Sequence, residues 1–187
     1  LRLFLAINLP REVRREVHAA TSSLRDCVPE LAWVAEPSLH LTLKFLGDQP
    51  EDQLAAIQRA LAGIAGSHSE LLMTAEDVGA FPNFRRTRIV WMGIFPEPRL
   101  ELLHHDIEVA FQQLGFEVEG RPFRPHVTLA RVRSPLAEDQ VRLLRRTAKR
   151  IEFRREFIVR SIDVMRSTPR VDGSEYATLV SAPLRSG

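Results

Sequence analysis

Two copies of one four-residue pattern constrain this chain more than any other feature. They read His40-Leu41-Thr42-Leu43 and His126-Val127-Thr128-Leu129. In each copy an imidazole and a hydroxyl alternate with apolar side chains, which is the period of a strand buried on one side. His and Thr therefore share one face and the apolar residues the other. A fold that brings both strands together gathers two imidazoles and two hydroxyls on one surface. The copies stand nearly half the chain apart, and each follows a helical stretch and precedes one opened by proline. That arrangement has the form of a degenerate internal duplication.

The surrounding pattern mixes strands and helices without the strict alternation of a doubly wound fold. Leu3 to Leu9 reads as a buried strand ended by Pro10, and Val13, Val17, Ala20 and Leu24 then fall on one helix face. Leu39 to Leu46 carries the first motif. Leu54, Ile57, Leu61 and Ile64 mark the next helix, closed by Gly66. Leu71 to Phe81 and Arg88 to Ile94 are extended, with a loop at 82–86 between them. Leu103, Ile107, Ala110, Phe111 and Leu114 mark a third helix. Val127 to Val132 holds the second motif, and Val141, Leu144 and Ala148 line a fourth helix. Phe157 to Met165 and Tyr176 to Pro183 are expected as the closing strands. The predicted class is α+β: two antiparallel-rich sheets, each backed by helices, facing one another across a central cleft. Residues 1–187 are expected to form one bilobal domain.

Composition narrows the function classes. A chain of 187 residues with 44% hydrophobic and 27% charged residues can bury a core unaided. Its one cysteine, Cys27, rules out an internal disulfide and fits a reducing compartment. No cysteine cluster suggests zinc, and no stretch is long and apolar enough to span a bilayer. The expected location is cytoplasmic. Net charge is +2, but Arg142, Arg145, Arg146, Lys149, Arg150, Arg154, Arg155 and Arg160 crowd one stretch. Such a run is either a solvated helix face or a surface that attracts a nucleic-acid backbone.

The motif residues suit phosphate chemistry. Histidine changes charge near neutral pH, so a neutral and a protonated imidazole work together as base and acid. In-line displacement at phosphorus places the attacking and leaving oxygens on opposite sides, which two facing strands supply. Thr42 and Thr128 can donate to the non-bridging oxygens. Lys44 continues the alternation of His40 and Thr42 and is expected on the same face. Phe81, Phe84 and Trp91 are either core or a stacking surface for a base. This scheme requires neither metal nor cofactor. The four other histidines, His18, His68, His104 and His105, have no repeated context and read as structural.

The segments His40 to Gly47 and Arg121 to Arg131 resemble the 2H phosphoesterase superfamily, and within it the RNA 2′,3′-cyclic phosphodiesterases, also described as 2′–5′ RNA ligases. Arg2-Leu3-Phe4, Ala80-Phe81-Pro82-Asn83 and Tyr176 extend the likeness nearly end to end. The resemblance implies a bilobal fold with pseudo-two-fold symmetry and both motifs in a central cleft. It implies hydrolysis of an RNA-terminal 2′,3′-cyclic phosphate to a 2′-phosphomonoester, with His40 as proton donor and His126 as acceptor. Arg131 matches a position expected to contact the phosphate. The alternatives are joining of such an end to a 5′-hydroxyl, or an RNA-end-binding module without turnover. The expected partners are RNA ends, with the protein acting as a monomer away from membranes.

Overall fold

The computed structural model describes residues 1–186. In chain order the elements are β1 (Arg2–Asn8), α1 (Arg11–Ala20), α2 (Ser22–Cys27), β2 (Ala32–Trp33), β3 (His40–Asp48), α3 (Leu54–Gly66), β4 (Leu71–Phe81), β5 (Ile89–Ile94), α4 (Pro98–Gln113), β6 (His126–Arg131), α5 (Glu138–Lys149), β7 (Arg154–Val159), β8 (Ser161–Arg170) and β9 (Gly173–Pro183). The strands pair antiparallel in the order β7-β4-β5-β6-β3-β1-β8-β9, with β2 added at the end of β6. The two expected sheets are the two halves of this one sheet. They meet where β3 lies beside β6, joined by a single ladder pair, Leu41 opposite Val127.

Helices cover one face of the sheet. α3 and α4 pack together behind the half that holds β3, β8 and β9. α2 packs on α5, and α5 on β4, behind the other half. Their apolar residues recur at helical spacing: Ile57, Leu61 and Ile64 on α3, Leu100, Leu103, Ile107 and Phe111 on α4. Against them the strands turn Leu3, Leu5, Ile7, Leu41, Val90, Met92 and Val127, all buried. One contiguous apolar core runs under both halves. Each such side chain contributes about 1.5–3 kcal/mol on burial. Among the described residues the opposite face carries no α-helix, and there His40, Thr42, His126 and Thr128 stand half-exposed.

Phe157 to Met165 departs from the sequence expectation. It is not one strand but parts of two, β7 and β8, separated by Arg160 alone. The run carries no Gly or Pro, so nothing in its composition announces a break. The consequence is large, because β7 is one edge of the sheet and β8 lies next to the other edge. One intervening residue spans only about 7 Å between Cα atoms. The sheet therefore curls until its ends approach. A bridge between Ser69 and Arg185, and the bond from Glu70 N to Arg185 O (2.8 Å), join the same two ends.

Candidate active site

The site grows from the Leu41–Val127 pair. Both side chains point to the helix-covered face and are fully buried. Their neighbours therefore project from the open face, His40 and Thr42 from one strand, His126 and Thr128 from the other. Because the strands run antiparallel, His40 stands diagonally across the pair from His126, related by a local two-fold. The strands share only this one pair, so they part on either side of it.

Each imidazole is held in the same way. His40 Nδ1 lies 2.7 Å from Ser38 O, and His126 Nδ1 lies 2.7 Å from Arg124 O. A carbonyl oxygen only accepts, so Nδ1 donates in both rings and Nε2 is left for a ligand. Aromatic rings fix the tilt. His40 packs against Phe4 (5.1 Å between centroids) and edge-on to Tyr176 (5.2 Å). His126 meets Phe81 edge-on at 5.0 Å, and Phe81 leans on Trp91. The Trp91 indole lies across Gly79, where an added Cβ would meet its ring at 2.2 Å. Any larger residue at 79 would lift the indole away from the sheet.

Burial pushes both imidazoles below their ordinary pKa, because desolvation penalises the charged ring. The carbonyls of Ser38 and Arg124 oppose this shift, and the Arg131 guanidinium adds to it at both rings. His126 also lowers His40. The two rings and Arg131 therefore share one electrostatic field. Asn8, opposite His40 in the ladder, donates to the buried Asp163 carboxylate at 2.6 Å, and Ser181 donates to its other oxygen.

Register explains which residues flank the motifs. Ala6 pairs with Thr42 but Leu5 pairs with Lys44, so Leu43 is an extra residue. Trp91 pairs with Thr128 but Val90 pairs with Ala130, so Leu129 is extra as well. A β-bulge thus follows the Thr in both copies and reverses the alternation beyond it. Lys44 and Ala130 turn to the helix-covered face, while Phe45 and Arg131 come to the open face.

Lys44 is consequently absent from the phosphate-facing surface that simple alternation predicts. It is 7% exposed, with Nζ 3.0 Å from both Glu108 carboxylate oxygens and 2.8 Å from Glu117 O. Glu108 in turn accepts from Glu119 N, and His104 beside it stacks on Phe123. Lys44 thus ties the β3 strand to α4 and to the segment leading into β6. Arg131 stands instead on the open face, where its charge reaches both imidazoles. The basic run at 142–160 lies apart: its members Arg142, Arg145, Arg146 and Lys149 ride on α5, Arg150 caps it, and Arg154, Arg155 and Arg160 pair with Glu76, Glu16 and Glu70. Phe84 packs on the core. Among the described residues, no group of three or more His, Cys, Asp or Glu is placed to hold a metal ion.

An antiparallel sheet bearing two inward histidines and two threonines across a local two-fold defines a two-histidine phosphoesterase class. The profile of the 2′-5′ RNA ligase superfamily matches residues 9–169, and the chain belongs to that family. A protein of Thermus thermophilus of known structure is 28% identical, covers 100% of this chain and 99% of its own, and superposes with a TM-score of 0.79. Escherichia coli LigT, solved with 3′-AMP, is 26% identical over 98% of this chain and 97% of its own, with a TM-score of 0.72. An RNA 2′,3′-cyclic phosphodiesterase of Archaeoglobus fulgidus is 33% identical over 76% of this chain and 80% of its own length. That of Geobacillus stearothermophilus is also 33% identical, over 68% of this chain but 41% of its own length.

Proposed function

We propose that this protein hydrolyses the 2′,3′-cyclic phosphate at RNA ends to a 2′-phosphomonoester. The observation that carries the reading is the matched pinning of two imidazoles by upstream carbonyls, on neighbouring strands and one face of the sheet, which leaves both Nε2 atoms free for a ligand. The phosphodiesterase names of the relatives support it.

The chemistry follows from the geometry. Neutral His126 takes a proton from water through Nε2 as the water oxygen bonds to phosphorus. The bond from phosphorus to the ribose 3′ oxygen breaks, and protonated His40 delivers its Nε2 proton to that oxygen. Charge grows on the non-bridging oxygens, where Thr42 and Thr128 donate hydrogen bonds and Arg131 supplies a fixed positive charge. Solvent returns the proton from His126 to His40. Every group named comes from one chain, which supports action as a monomer and as a single bilobal unit. The free, half-buried Cys27 suits a cytoplasmic setting. No helix among the described residues is long and apolar enough to cross a membrane.

The test is an RNA oligomer ending in a 2′,3′-cyclic phosphate, incubated with and without chelator. Chelator-resistant formation of a 2′-phosphate supports the reading. Binding without conversion supports an end-binding module instead. Chelator-sensitive turnover would require a metal site that the proposal does not contain. Adding a 5′-hydroxyl RNA to the reaction tests joining, in which that hydroxyl replaces water.

A further inference from the structure

The repeated bulge makes Phe45 and Arg131 structural counterparts, each five residues past its histidine and each on the open face. They differ in kind. Arg131 brings charge to the reacting centre. Phe45 is an aromatic ring left 69% exposed, with Phe4 as its one aromatic neighbour among the described residues, at 6.2 Å. Phe4 in turn packs on His40. Phe45 therefore lies one ring beyond the catalytic imidazole on the same surface. The rings of Phe4 and Tyr176 are engaged with His40 and with each other, whereas a face of Phe45 is open.

Lys44 fastens the segment after α4 to β3 through Glu117 O. Besides Glu117 and Glu119, that segment carries Arg121 and Arg124, both exposed and neither in an ion pair among the described residues. Pro125 holds Arg124 extended immediately before His126. An open aromatic ring on the face of the two imidazoles, with unpaired arginines on the segment that enters β6, suits single-stranded nucleic acid, whose bases stack and whose phosphates meet guanidinium groups.

We propose that Phe45 is a stacking shelf for the base of the nucleotide that precedes the cyclic-phosphate residue. This rests on the phosphodiesterase reading and makes an oligoribonucleotide, not a cyclic mononucleotide, the preferred substrate. The unlike counterparts also break the two-fold and give the site a polarity: the chain of the RNA leaves over the β3 side.

The readout is the ratio of kcat/KM for a five-nucleotide RNA ending in a 2′,3′-cyclic phosphate to that for adenosine 2′,3′-cyclic monophosphate. Wild type should favour the oligomer, and Phe45→Ala should reduce the ratio about 10-fold through KM, the size of one lost base–aromatic stack. Phe45→Trp should keep it. A ratio unchanged in Phe45→Ala overturns the shelf. So does an equal loss on both substrates, which marks Phe45 as structural. Fluorescence anisotropy with the 2′-phosphate oligomer tests the shelf without turnover. An unchanged Kd in Phe45→Ala overturns it whether or not the wild type hydrolyses either substrate, while failure of hydrolysis alone overturns only the phosphodiesterase reading.

Discussion

At the scale of single residues, two nitrogen atoms carry the proposed proton transfers. His40→Ala and His126→Ala should each lower kcat by at least about 100-fold while circular dichroism stays native. Near-normal turnover in either variant contradicts the pair. The pH profile carries a sharper expectation. Burial, and then Arg131, hold both imidazoles below the ordinary histidine value in the free protein. The rate kcat/KM rises as the base loses its proton and falls as the acid loses its own. Both limbs depend on lowered pKa values, so the optimum should lie on the acid side of about 6.5. Arg131→Ala removes one lowering charge from both rings. Their titrations, followed by NMR, should then move up in pH together as activity falls. A shift in only one ring would mean that Arg131 is not shared.

At the scale of elements, the motif strands are legible in the sequence and their far ends are not. Alternation over His40 to Thr42 and His126 to Thr128 holds because each stretch has one face in the core. Beyond each Thr the alternation predicts Lys44 at the phosphate, and the bulges at Leu43 and Leu129 reverse it. Nothing local marks those bulges, since Leu is an ordinary strand residue and the extra residue is visible only against the partner strand. Arg131 emerges through likeness to known proteins, not through alternation, which would have buried it. Breaking the buried Lys44–Glu108 pair by Lys44→Met leaves an unpaired carboxylate and should cost about 3–5 kcal/mol in urea unfolding. Adding Glu108→Leu should restore much of that loss. Under folding conditions kcat for Lys44→Met should stay within a few-fold of wild type. A collapse of kcat at unchanged stability would return Lys44 to the phosphate.

At the scale of the molecule, the repeated motif visible in the sequence falls once in each half of the sheet, but the closing of the sheet is hidden. It hangs on one residue, Arg160, in a run with no turn signal. The pairing of β3 with β6 at the centre of the sheet lets one chain supply both imidazoles. An equimolar mixture of His40→Ala and His126→Ala proteins should therefore remain inactive. Recovery of activity would show a site shared between two chains.

The most direct test is a crystal structure with a uridine–vanadate complex, which mimics phosphorus with five oxygens around it. The expected result is one vanadium atom with His40 Nε2 and His126 Nε2 on opposite apical oxygens, each within about 2.6–3.2 Å, and Arg131 on the equatorial set. Vanadate touched by only one of the two rings, or bound elsewhere, would contradict the shared site.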